Sequence, residues 1–141
     1  MLGFDCDRPR GKFIKTEEGA YMAKTKFNSL HCISETLEEL EIPRTFFICG
    51  QFLESMAMMF GKEEMKKSFC INSPYVEIGD NSYSHSTVKK ILTRPDKIPI
   101  SPEEVENEFK KNTDIFKNIF GLNIPNRSYR TPLGHADGLK D

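Results

Sequence analysis

A continuous apolar run, Thr45-Phe46-Phe47-Ile48-Cys49, framed by Pro43 and Gly50, limits the possible folds more than any other segment of this chain. Five residues without polar alternation read as a strand buried on both faces, and a strand of that kind needs helices to cover it. The flanking sequence supplies them. From about Glu18 to Glu41, apolar residues recur three or four apart at Tyr21, Met22, Phe27, Leu30, Ile33, Leu37 and Leu40, predicting a helix with one buried stripe. Pro43 ends it. After Gly50 a second helix runs from Gln51 to about Phe60, and the polar stretch holding Lys62, Glu63, Glu64, Lys66 and Lys67 continues or caps it.

The same alternation recurs on either side. Leu2-Gly3-Phe4-Asp5-Cys6-Asp7 opens the chain as a strand, and Tyr75 to Gly79 reads as another, followed by a polar loop to His85. Ser101-Pro102-Glu103-Glu104 combines an N-cap, a proline at the first helical position and a capping-box glutamate. That helix reaches about Phe120, burying Val105, Phe109, Ile115, Phe116, Ile119 and Phe120, and Gly121 stops it. Asn126 to Arg130 reads as a fourth strand. Strands alternating with helices imply an α/β fold with a parallel sheet, open or barrel-like. Such sheets carry their chemistry in the loops leaving the carboxyl ends of strands. Asp5, Asp7, Gly50, the loop from Asp80 to His85 and the turn from Arg130 to Gly134 therefore share one rim.

With 141 residues there is room for one domain with a real core, and 11 phenylalanines supply that core. A net charge of −1 offers no broad attraction to nucleic acid or to an anionic membrane. No apolar run is long enough to span a bilayer and the first residues lack the apolar middle of a signal peptide, so the chain as given reads as cytoplasmic. Cys6, Cys32, Cys49 and Cys70 form no C-x-x-C pair, which argues for reduced thiols over a structural zinc site.

On an extended segment Asp5 and Asp7 project to the same side and Cys6 to the other. Two carboxylates in one small volume repel unless a cation lies between them, which suits a metal ligand beside a general base. Standing alone, Asp-x-Asp before Arg8-Pro9-Arg10-Gly11 is equally an ordinary polar exit from a strand.

Four segments taken in order change that reading. Phe4-Asp5-Cys6-Asp7, then Pro43 to Gly50, then Glu77-Ile78-Gly79-Asp80-Asn81-Ser82-Tyr83-Ser84-His85, then Tyr129-Arg130-Thr131-Pro132-Leu133-Gly134 resemble the successive motifs of the polysaccharide deacetylases, the NodB-like carbohydrate esterases. The resemblance implies a partial (β/α) barrel of the glycoside hydrolase/deacetylase type, with about four parallel strands present and helices outside. It implies a metal-dependent hydrolase of non-peptide carbon–nitrogen bonds that deacetylates N-acetylated amino sugars of a glycan. By resemblance Asp5 is the general base, Asp7 and His85 ligate a divalent metal, usually zinc, Arg130 holds the base ionised, and the Leu133 N–H faces the oxyanion.

The chain departs from the family in two places. Asn81 stands where the family has its first histidine ligand, and a neutral amide oxygen is a poor zinc donor, so metal should be weakly held or absent. Asp80 swinging in beside Asp7 and His85 is one substitute; His135 near the rim is another, whereas His31 sits mid-helix and reads as packed. The resemblance also ends at Asp141, before the family's later strands and their leaving-group histidine, which reads as a single domain, residues 1–141, truncated at its C-terminal side. An open inner face and unpaired strand edges then predict marginal stability and self-association through the open barrel edge. The leading function is an impaired deacetylase acting on a carbohydrate; the alternatives are a non-catalytic carbohydrate- or protein-binding descendant, or a small-amide hydrolase.

Overall fold

The computed structural model describes residues 2–91, 94–123 and 127–134. Strand β1 (Leu2–Cys6) leads through a 3-10 turn at Gly11–Lys15 into helix α1 (Glu17–Glu39), followed by β2 (Arg44–Ile48), α2 (Gly50–Phe60), α3 (Lys62–Ser68), β3 (Val76–Asp80) and α4 (Pro102–Phe120). The three strands form one parallel sheet in the order β1-β2-β3. The α/β architecture with parallel strands and covering helices is the one the alternation predicts.

Phe4, Phe46 and Ile78 stand in one row across the sheet, and Asp5, Phe47 and Gly79 in the next. Side chains alternate faces, so the first row looks one way and the second the other. Phe46, Ile48, Ile78 and Cys6 join Ala23 and Leu30 of α1, Phe52, Leu53 and Met56 of α2, Met65 of α3 and Phe116, Ile119 and Phe120 of α4 in a single core. All four helices thus cover one face of the sheet. The opposite face holds Thr45, Phe47 and Glu77, with Thr45 Oγ1 donating to Glu77 Oε2 at 2.7 Å and the Ser128 hydroxyl donating to Glu77 Oε1.

Several local expectations shift. Gly61, at φ 93, breaks α2 from the polar segment, which forms the separate helix α3 in place of a continuation. Tyr21 and Leu40 are exposed; the buried face of α1 is Gly19, Ala23, Leu30, Ser34 and Leu37. Tyr21 and Met22 instead line, with Phe4, Leu30 and Phe46, an apolar groove of about 670 Å³ between α1 and the edge of β1. On α4 the capping box forms as predicted, but Asn112 joins Phe116, Ile119 and Phe120 in the interior, while Val105, Phe109 and Ile115 are only partly buried. Asn112 Nδ2 donates to the Ile48 carbonyl at 3.1 Å, satisfying the end of β2 from the helix side. Among the described residues the fourth strand is reduced to one parallel bridge, Asp80 to Tyr129, in which Asp80 N donates to Ser128 O at 2.8 Å and Arg130 N to Asp80 O at 2.9 Å. All four cysteines are free thiols. No helix among the described residues is long and apolar enough to cross a membrane.

Candidate active site

Strand alternation sets the rim. Cys6 is buried in the core, where burial pushes its thiol up to about 12. Asp5 falls on the other side, in the row of Phe47 and Gly79, and Asp7 follows just beyond the strand. Arg130, placed by the bridge to Asp80, reaches back across the sheet. Its Nη1 donates to Asp5 Oδ1 at 3.0 Å, and its guanidinium lies 4.1 Å from the centre of the Phe47 ring. Gly3 allows this approach, since a Cβ there would stand 2.6 Å from Arg130 Nη2.

The second half of the rim is the loop that leaves β3. Gly50 N donates to Ser82 O at 3.2 Å and Gln51 N to Tyr83 O at 2.9 Å, so the start of α2 fastens the loop. Glu54 accepts from the Tyr83 hydroxyl at 2.8 Å, and Glu108 of α4 accepts from Ser84 N at 2.6 Å. Held this way, Ser82 and His85 adopt left-handed backbone at φ 60 and 59, a conformation that costs free energy for residues other than glycine and persists only under surrounding constraint. His85 Nε2 then lies 3.4 Å from Asp7 Oδ2. Burial lowers the His85 pKa below its ordinary 6.5; Asp7 pulls it up, and Arg10 opposes Asp7. Arg10 also donates from Nη1 to the Asp7 carbonyl at 2.5 Å.

Leu133 completes the arrangement. It is left-handed, at φ 65, and lines the same cavity of about 470 Å³ as Asp7 and His85. Asn81 is buried on the adjoining stretch of backbone, its N–H donating to Ile48 O at 3.2 Å while its Oδ1 is buried without a hydrogen-bond partner. Asp5 with Arg130 and Asp7 with His85 and Leu133 are therefore drawn together.

Asp80 is not among them, which corrects the idea that it substitutes for the missing histidine. As the last residue of β3 it faces the helices. Its carboxylate is fully buried and accepts from Arg127 Nε at 2.8 Å and Nη2 at 2.5 Å, and from Ser82 N at 2.7 Å. Burial pushes its pKa up against the opposing pull of Arg127. Among the described residues no three His, Cys, Asp or Glu side chains converge into a metal cradle. His31 packs edge-on to Phe27 and meets the Ser68 hydroxyl at 3.0 Å, and His135 lies outside the described residues. Sequence reasoning missed Arg127, Glu54 and Glu108, isolated charged residues whose signal is only that they precede or face the motif strands.

Comparison with known proteins agrees with this topology. Two similar solved structures are the wild-type form of a CE4 family pseudoenzyme from Bacillus anthracis, at TM-score 0.55 and 17% identity, and a mutant CE4 family pseudoenzyme with restored enzymatic activity, at TM-score 0.57 and 18% identity. Each aligns with 94% of this chain, which spans 34% of the former structure and 36% of the latter. No curated protein matches the sequence. The sequence model for polysaccharide deacetylases matches residues 28–140, most of the chain, and with the parallel sheet and the rim it supports a plain conclusion: this chain belongs to the polysaccharide deacetylase family.

Proposed function

We propose that the rim hydrolyses the N-acetyl group of an amino sugar in a glycan, at a rate lowered by Asn81. The observation that carries this reading is the convergence of Arg130 on Asp5 beside the approach of His85 to Asp7. Asp5 is the general base that takes a proton from the attacking water, and the Arg130 hydrogen bond keeps that carboxylate aimed. The Leu133 N–H, turned by its left-handed backbone, is the donor for the developing oxyanion. Asp7 and His85 would hold a divalent ion of zinc type, which when bound polarises the amide carbonyl. The orphaned Oδ1 of Asn81 suits a third, weak donor. Two strong donors and one neutral amide oxygen fit a loosely held ion.

Acetate release from N-acetylated chitin oligomers, with zinc, cobalt or nickel added, tests the proposal. The native chain should turn over slowly, Asp5→Asn should abolish what activity there is, and Asn81→His should raise both metal affinity and rate. Submicromolar zinc affinity in the native chain, or turnover indifferent to Asp5→Asn, would overturn it. Asn81 also favours a second reading, a carbohydrate-binding descendant without catalysis. One structural neighbour is itself a pseudoenzyme, and a mutant is described as having restored activity. Oligomer binding with no acetate released even by Asn81→His would select that reading.

A further inference from the structure

The cavity beside Asp7 and His85 has a cationic wall. Arg8, Arg10, Arg94 and Lys97 all line it. A second cavity of about 320 Å³ is lined by Arg8, Arg10 and Phe13, so the two arginines form a shared wall between them. The chain as a whole is near neutral, which makes this concentration local.

Internal carboxylates offset the wall only in part, Asp7 and Asp96 against four cations. Arg10 lies 3.8 Å from Asp7 Oδ2, while Arg94 and Lys97 share the single Asp96, at 3.3 and 3.9 Å. Arg8 is exposed and has no carboxylate partner among the described residues. The placement is built by the backbone: Arg94 N donates to Ile91 O at 3.1 Å, Lys97 N to Arg94 O at 3.0 Å, and Ile100 N to Thr87 O at 2.9 Å. These hydrogen bonds fix the backbone that carries Arg94 and Lys97 to the cavity wall. Four cations around one space favour an anionic substituent over a neutral one. Guanidinium forks and an ammonium around one space suit an anion with three terminal oxygens.

We infer that the glycan taken by this rim carries a phosphate or sulfate ester, seated among Arg8, Arg10, Arg94 and Lys97. This rests on the proposed glycan site and adds the charge of its substrate. Calorimetric titration of the full chain with N-acetylglucosamine, its 6-phosphate, its 6-sulfate and inorganic phosphate tests it at two salt concentrations. At least one charged sugar should bind about tenfold or more tighter than the neutral one, the scale of one charge-assisted hydrogen bond, with an advantage that shrinks in high salt. Phosphate preferred over sulfate, or the reverse, identifies the ester. Arg8→Ala with Lys97→Ala should erase the advantage and leave the neutral sugar's affinity unchanged; both side chains are exposed, and a retained circular-dichroism spectrum verifies the fold. Equal affinity for charged and neutral sugars, or an advantage surviving in the double variant, overturns the inference and leaves the glycan reading intact. Inorganic phosphate binding as tightly as the 6-phosphate, with no binding of the neutral sugar, overturns the glycan reading and the inference that rests on it.

Discussion

Replacing Arg127 with Met isolates the energetic role of the pair beneath the rim. Asp80 is wholly buried, and Arg127 supplies two of its hydrogen bonds, contacts Thr113 Oγ1 at 2.9 Å and lies 5.1 Å from the centre of the Phe116 ring. Methionine keeps much of the bulk against Phe116 but leaves an uncompensated buried carboxylate, a defect of about 3–5 kcal/mol. Against a net stability of ~5–15 kcal/mol that is a large fraction. With a urea dependence of ~1–3 kcal/mol per molar, the unfolding midpoint should fall by about 1 M or more at pH 7. The pH profile carries the sharper signature. Asp80's pKa is already raised in the folded protein, so its protonated form favours folding, and the stability it contributes is lost as pH rises through that raised value. Without Arg127 the pKa rises further and the loss grows. The deficit of Arg127→Met should therefore be greatest at neutral pH and shrink as pH falls toward the ordinary carboxylate value of ~3.9. Adding Asp80→Asn removes the charge and keeps an acceptor for Ser82 N, so the double variant should recover most of the loss. A single variant losing under about 1 kcal/mol, with no recovery in acid, would refute the account of a buried charge held by one counterion.

Two other outcomes follow from the loop after β3. Gly50→Ala would place a Cβ 2.7 Å from Tyr83 Cδ2 and still closer to Asn112 Oδ1, and should cost about 1–3 kcal/mol in denaturant unfolding; an unchanged midpoint would show that the loop and α4 yield freely. His85 should titrate below its ordinary 6.5 by NMR, because burial outweighs Asp7. Since its folded pKa is lowered, it should weaken the fold as pH falls through the unfolded value. A midpoint above 6.5 would show that Asp7 dominates.

Much of this was legible because the motifs sit where backbone rules are strict. The run from Thr45 to Cys49 identifies a parallel strand covered by helices, and alternation along β1 puts Asp5 opposite the buried Cys6. The capping box at Ser101 formed for the same reason: its signal is local. Asp80 escapes the sequence pattern because the apolar signal ends at Gly79; one more residue in β3 puts its side chain among the helices. Arg127 left no local trace, as its partner lies 47 residues away. On α1 the apolar spacing was correct in period but blind to rotation. Ala23 and Ser34, small residues that admit close packing, mark the face that is buried, and Tyr21 faces the groove.

The ion pair between Asp5 and Arg130 joins positions 125 residues apart. Closing a flexible loop of that length costs about 4 kcal/mol of chain entropy, whereas a pair this open to solvent returns at most about 1 kcal/mol. The pair therefore cannot draw the two ends together; the sheet and the helical core do that, and the contact registers their success. Orientation of Asp5 is then a property of the whole folding unit, gained and lost with it. Loss of the Asp5–Arg130 contact should follow the same cooperative transition as global hydrogen exchange, so that a destabilising change anywhere between the two ends is felt at the base.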